Sequence, residues 1–323
     1  MTRTFLFLVV TFLLFSCSKD SARQQPERSS SSQIASAAED PPYFDGRRAL
    51  DFLVAQTDFG PRNPGSSGHH KCLAYLEDEL RKYAASASLQ PFTHKGYNGE
   101  VFTLTNLIAT FNPKARTRIL LLAHWDSRPR SDQETDLKKR DQPILGANDG
   151  ASGVAVLLEI ARHLKEKAPT AGVDMLFTDG EDYGKEGDNA GYLLGARYFS
   201  ENLPPGFSPT FGILLDMVGD ANLELMKESY SIQFAPEAVD AVWSAARELG
   251  VYQFTDNVQG YVTDDHLPLN RIGIRTIDLI DFSYPDASNR YWHTTQDTPD
   301  KCSSESLEAV GKVLMHVIYH LPG

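Results

Sequence analysis

The sequence predicts an α/β fold: one large domain with a mixed, mostly parallel central sheet and helices on both faces. Three observations point there. Apolar runs such as RILLLAH (118–124), GVDMLFT (172–178) and GILLDMV (212–218) are continuous rather than alternating, as strands buried on both faces are. Between them lie amphipathic stretches of helical period. The alternation continues to the C-terminus, and such strand–helix alternation builds a sheet covered on both sides.

The elements follow in order. Residues 45–59 form a first helix with Leu50, Phe52, Leu53 and Phe59 apolar, and Gly60-Pro-Arg-Asn-Pro-Gly65 is a rigid turn. Ser66 or Ser67 caps a second helix that carries Cys72, Leu73, Leu76, Leu80 and Tyr83. Strands are expected at 88–94, 101–110, 118–124, 172–178, 211–218 and 274–280, and further helices at 151–167, 191–200, 236–249 and 304–321. A polar loop spans 125–147, and loops of that length are usually functional or mobile.

The chain has 323 residues and a formal net charge of −12. It has no basic cluster with interleaved aromatics, which argues against a nucleic-acid partner. Met1-Thr-Arg-Thr followed by the apolar run Phe5–Phe15 reads as an export signal, too short to span a bilayer. Its end, Leu14-Phe15-Ser16-Cys17, resembles a bacterial lipobox with Cys17 as the lipidated residue. Residues 1–17 are therefore expected to be a lipoprotein-type signal, 18–40 a flexible polar tether and 41–323 the catalytic domain. Several acyl chains would hold the protein on a bacterial membrane, in the periplasm or at the cell surface. Cys72 and Cys302 remain as a candidate disulfide or as two buried thiols. The absence of a long exposed apolar run fits a monomer.

Acids and histidines gather where strands end or helices begin: AHWD (123–126), ANDG (147–150), DGED (179–182), LDMVG (215–219) and YWHT (291–294). Open α/β sheets place their chemistry at such ends. Each residue alone has a plain structural explanation. His124 could be a hydrogen-bonded strand-end histidine with Asp126 two residues on, Asp149 a helix cap, and His293 a surface histidine. Adjacent Glu181 and Asp182 repel unless a cation is near, and Asp216 inside an apolar strand needs a partner or a metal. Together they describe an oxygen and imidazole site without thiolates, which suits a hydrolytic or acyl-transfer zinc.

AHWDS, GANDGASG, DGED, LLDMVGD and YWHTTQD, in this order and over residues 44–323, resemble the zinc aminopeptidase-like superfamily, peptidase family M28-like, whose fold is zinc-exopeptidase/phosphorylase-hydrolase-like. FGPRNPGSSGH (59–69), DDHLPLNRIGI (264–274) and Trp292-His293-Thr294 resemble the bacterial members of the animal-type glutaminyl-peptide cyclotransferases. The resemblance implies one zinc on Asp149, Asp182 and His293, with Glu181 as general acid/base supported by Asp216 and Asp264. It places Trp292 and Tyr284 on the substrate pocket and gives His124 and Asp126 a supporting or second-metal role. The implied reaction turns the N-terminal glutamine of peptides or proteins into pyroglutamate with release of ammonia. The chain departs from the animal pattern at several points. Asp182 stands for a glutamate, Ala123 for a cysteine and Asp278 for a histidine, and loop 183–192 has Tyr183 and Tyr192 but no tryptophan.

Two other readings use the same residues. A two-zinc aminopeptidase would take His124, Asp149, Asp182, Asp216 and His293, with Asp149 bridging. A non-catalytic lipoprotein that binds peptides or amines would keep the scaffold with a broken ligand set, whereas here the set is intact.

Overall fold

In the computed structural model, residues 40–185 and 187–322 are described. The signal segment with Cys17 and nearly all of the tether lie outside them. Two N-terminal helices, α1 (Gly46–Thr57) and α2 (Ser67–Tyr83), are capped by the side chains of Asp45 and Ser66. They precede β1 (Ser86–Lys95), β2 (Val101–Phe111) and β3 (Arg118–His124). Then come α3 (Ala151–Glu166), β4 (Gly172–Thr178), α4 (Leu194–Glu201) and β5 (Phe211–Asp216). The chain continues through β6 (Leu225–Lys227), α5 (Ser229–Phe234), α6 (Pro236–Leu249), β7 (Phe254–Val258), α7 (His266–Arg271), β8 (Thr276–Ile280) and α8 (Ser304–His320).

Six strands form one sheet in the order β1-β2-β4-β3-β5-β8. The first three are joined antiparallel, and β4, β3, β5 and β8 run parallel. The apolar runs sort by alternation, because successive strand residues face opposite sides. Ile119, Leu121 and Ala123 of β3 join the larger core, which also holds Leu53, Val154, Leu158, Val242 and Leu314 from helices on that face. Leu120 and Leu122 meet Phe199 and Leu269 on the other face. His124, Asp216 and Asp278 fall in step with this second set. Strand β3 leads to β4 on one side and β5 leads to β8 on the other. The crevice between β3 and β5 is thus a topological switch point, and His124 and Asp216 end its two strands.

Four short elements, β6, α5, β7 and α7, are not visible in the hydropathy pattern, because none spans enough residues to establish a period. The helix expected at 191–200 begins at Leu194, after a 3-10 turn at Asn189–Gly191 and a left-handed Leu193 (φ 59°). The strand expected to run to Val218 ends at Asp216, where Met217 turns with φ 51°. Cys72 and Cys302 are free, buried thiols. Among the described residues no helix is long and apolar enough to cross a membrane.

Helix α3 lies against the sheet through Gly153. A Cβ there would stand 2.2 Å from the Leu215 carbonyl oxygen and 3.0 Å from the Ala123 Cβ. Both neighbours belong to strands that end in site residues. Gly153→Ala should therefore force the helix outward and cost about 1–3 kcal/mol, read as a lower denaturation midpoint. An unchanged midpoint would mean that the helix is free to move.

Candidate metal centre

Each ligand candidate is held by its own backbone device. Asp149 does not cap α3; the cap position is Gly150, without a side-chain bond. The turn is instead clamped by Asp297, whose carboxylate accepts from the Asn148 and Asp149 amides at 2.8 and 3.2 Å. Gly150 lets the turn pass His124, since a Cβ would sit 2.5 Å from the His124 ring. The Glu181–Asp182 turn is held by Asp126, which accepts from both of their amides at 3.1 and 3.3 Å. His293 adopts φ 52°, a conformation uncommon outside glycine that functional sites tend to hold.

These devices bring two groups of ligand atoms together, Asp149/Asp182/His293 and His124/Asp149/Asp216, each within 4.8 Å of one another. The His293 Nε2 lies 3.4 Å from Asp149 Oδ2 and from Asp182 Oδ1. The His124 Nε2 lies 3.2 Å from Asp149 Oδ1 and from Asp216 Oδ1. Asp149 is common to both groups. In the first, Asp182 Oδ2 is buried without any hydrogen-bond partner, and a buried carboxylate oxygen left in that state calls for a cation. Two carboxylates and an imidazole are a donor set that zinc accepts, with a position left open.

A pocket of about 90 Å³ stands over the first group, lined by Glu181, Tyr192, Asp264, Ile280, Phe282 and Trp292 besides the ligands. Trp292 stacks on His293, ring centroids 3.8 Å apart, and Phe282 meets Trp292 edge-on at 5.0 Å. Tyr284, expected on the pocket wall, is fully buried and donates to Asp297 at 2.8 Å. It supports the Asp149 turn from behind, and Phe282, two residues earlier, supplies the wall. Asp126 likewise belongs to neither ligand group; it braces the acidic turn and lies 3.5 Å from His124 Nδ1. Of the two loop tyrosines, Tyr192 lines the pocket, whereas Tyr183 packs against Tyr97 and Phe102.

Several supports were not apparent in the sequence. Arg62, fully buried, donates to the carbonyls of Trp125, Leu145 and Gly146 and so ties down the 125–147 loop. Arg128 donates to Asp182 Oδ1 at 2.6 Å, to both oxygens of Asp132 and to the Tyr192 hydroxyl. His69 lies 2.9 Å from Asp179 and stacks on Trp125. The FGPRNPG run hinted only at a turn around Arg62.

Burial and neighbouring acids set the protonation. Burial raises Asp149, but hydrogen bonds from His124 and His293 outweigh it and hold the carboxyl well below the usual range. Burial, then Asp182 beside it, push Glu181 well above the usual carboxylate value. Burial also raises Asp264, seconded by Asp278, Asp216 and Glu181. Asp278, where the animal pattern has histidine, is raised by burial and Asp216, and both its oxygens lack partners.

The fold and the paired acid–histidine groups define an α/β protein of the metal-dependent exopeptidase class. The model of peptidase family M28 matches residues 106–318, and the chain belongs to that family. It is 40% identical to a glutaminyl cyclase from Bacteroides thetaiotaomicron, solved with N-acetylhistamine bound. That match has a TM-score of 0.83 and covers 88% of this chain and 100% of the other. A Tannerella forsythia glutaminyl cyclase is 39% identical, with TM-score 0.83 and coverage of 87% and 100%. A Bacteroides thetaiotaomicron structure described as a leucine aminopeptidase precursor is 41% identical, with TM-score 0.83 and coverage of 88% and 99%. Among characterised relatives, the glutaminyl-peptide cyclotransferase of Boiga dendrophila is 26% identical over 308 residues, covering 80% of this chain and 78% of its own.

The acids give the metal-free protein a distinct pH response. Burial lifts Asp182 to about 6 and Asp265 and Asp297 to about 7. Each keeps its proton in the fold at pH values where the unfolded chain has released it. Their contribution to stability is therefore lost as pH rises from about 4 to about 7. Thermal melts of chelator-treated protein should show Tm falling across that window by about 5 °C. Zinc should flatten the fall, because binding needs Asp182 ionised. A metal-free Tm that climbs steadily over the same range would contradict this arrangement.

Proposed function

We propose that this chain is a zinc-dependent glutaminyl-peptide cyclotransferase, which converts the N-terminal glutamine of peptides or proteins into pyroglutamate and releases ammonia. The observation that carries the reading is the placing of Glu181 beside Asp149, Asp182 and His293 in a small pocket walled by Trp292 and Phe282. The relatives named above support it. Asp149, Asp182 and His293 would hold one zinc ion, which when bound supplies a Lewis acid for the side-chain amide carbonyl.

The remaining work falls to side chains of this protein. Trp292 and Phe282 wall the pocket and exclude water from the glutamine side chain. The peptide's own α-amine is tethered to the amide carbon it attacks, so positioning replaces a second substrate. The bond from α-nitrogen to side-chain carbonyl carbon forms, and the bond from that carbon to the amide nitrogen breaks. Glu181 takes a proton from the amine and delivers it to the departing nitrogen, which leaves as ammonia. Its raised pKa suits a group that must both hold and release a proton near neutrality. Asp216 and Asp264 buffer that carboxyl from the far side of the pocket.

A second reading has one specific observation behind it: the His124/Asp149/Asp216 group, which could hold a second ion and make a two-zinc aminopeptidase. A peptide beginning Gln-Ala, treated with zinc-loaded protein and weighed by mass spectrometry, separates the two. Loss of one ammonia from an intact chain is expected; release of free glutamine, with two zinc ions per chain, would establish the aminopeptidase. Glu181→Gln should retain zinc and lower kcat by about 10²- to 10⁴-fold. Full activity in that variant would remove Glu181 from the mechanism.

We further propose that the chain is exported and anchored in a bacterial membrane through lipid on Cys17, at the periplasmic side or cell surface, as a monomer. The lipobox-like LFSC and the polar tether support this. Cys17→Ser should move the protein from the membrane fraction to the soluble one; an unchanged distribution would overturn the anchor.

A further inference from the structure

A groove of about 580 Å³ opens from the metal pocket and shares Tyr192, Thr263, Trp292 and His293 with it. Arg128, Arg197 and Arg271 line it, with Asp132 as the acidic side chain among its walls. Arg128 and Asp132 neutralise each other through paired bonds of 2.6 and 2.9 Å. The other two arginines are left over. Arg197 donates to the carbonyl oxygens of Asn189 and Ala190, its Nε has no partner, and it has no carboxylate partner among the described residues. Arg271, exposed in the last turn of α7, has no ion pair among the described residues and stands one turn beyond Leu267, which lines the same groove. In a chain of net charge −12, Arg81, Arg247 and Arg275 each sit within ion-pair distance of a carboxylate. The walls of this groove thus carry three arginines against one acid, and a wall of that balance draws anionic chain segments.

We propose that this groove takes the residues that follow the N-terminal glutamine, and that Arg197 and Arg271 select peptides with carboxylate side chains there. The inference rests on the cyclotransferase reading. The pocket over the metal ligands is small, about 90 Å³, so the rest of a bound peptide leaves by a connecting groove. A second groove, lined by Met226, Gln259, Tyr261, Val262, Ser283 and Phe282, also meets the pocket. Its walls are mostly apolar and carry no charged side chain, so they offer nothing that tells an acidic peptide from a neutral one. The arginine-lined groove offers Gln133 and Asn189 besides its guanidinium groups.

The test compares amidated tetrapeptides on the full zinc-loaded chain: Gln-Ala-Ala-Ala, Gln-Glu-Glu-Ala, Gln-Lys-Lys-Ala and Gln-Phe-Phe-Ala. At low ionic strength the acidic peptide should exceed the neutral one in kcat/KM by about fivefold, through KM rather than kcat. The lysine peptide should fall below the neutral one, and the acidic advantage should shrink in about 0.5 M salt. Arg271→Gln should reduce the acidic-to-neutral ratio, and Arg271→Glu should bring it to one or below. Equal kcat/KM for acidic and neutral peptides, or a preference for the phenylalanine peptide, would overturn the proposal while leaving cyclisation in place. No cyclisation of any of the four would overturn the cyclotransferase reading and this inference with it.

Discussion

Carboxyl groups crowd the C-terminal edge of the sheet more densely than water-free surroundings tolerate. Asp126, Asp149, Asp182, Asp264, Asp265, Asp278 and Asp297 are all buried there, with Glu181 at the pocket between them. The fixed cations within the cluster are few: Arg62 behind it, Arg128 on Asp182 and Asp132, and whatever charge His124 and His293 carry. Like charges at this separation cannot all ionise. Some acids are pushed toward the protonated form, some accept backbone amides, and the set in which Asp182 Oδ2 lacks a hydrogen-bond partner calls for a metal. Much of the surrounding architecture follows from managing that repulsion.

The solution divides the acids by task. Asp297 and Asp126 spend their oxygens on backbone amides of the turns that present Asp149 and the Glu181–Asp182 pair. Such supports fix where ligand oxygens point, and metal sites depend on them nearly as much as on the ligands. Asp264 and Asp278 take a different course. Burial and the neighbouring acids push both well above the usual carboxylate value, which favours their uncharged form beside Asp216 and Glu181. The same neighbour set leaves Glu181 with a raised pKa, the property that general acid/base work needs.

The candidate ligands were legible in the sequence as a set, although each taken alone has a plain structural explanation. Asp216 interrupts an apolar strand, Asp149 lies between Asn148 and Gly150, and Glu181-Asp182 follow a Gly turn. The long parallel strands and helices were equally plain from their periods. What could not be read depends on contacts across the chain. Arg128 meets Asp182 over 54 residues and Asp297 meets Asn148 over 149, and no local pattern marks either partner. Tyr284 and Phe282 show the same limit at short range. Both are aromatic and two residues apart, and only the path of the chain decides that Phe282 walls the pocket while Tyr284 holds Asp297. Asp149 shows how an ordinary helix-cap position can serve otherwise: Gly150 takes the cap, and the freed carboxylate turns toward both histidines.

One geometry thus contains both of the reactions that its relatives' names describe. Asp149 stands between two imidazoles, and whether one or two ions occupy the edge depends on His124. Burial opposes a charge on that ring, while Asp126, Asp149 and Asp216 around it favour one. A charged His124 can stand in for a second cation: it neutralises Asp149 and Asp216 through hydrogen bonds and leaves a single open metal position. A neutral His124 would leave those carboxylates uncompensated and invite a second ion. The two readings then differ in what holds Asp149 and Asp216 together, the His124 imidazole or a second ion. Asp126, anchored by two backbone amides, stays 3.5 Å from the His124 Nδ1 and so keeps a carboxylate behind the ring. While His124 keeps its bond to Asp216, the Asp149/Asp182/His293 group alone is left to take an ion, and the peptide's own amine rather than a water held between two metals would be the nucleophile.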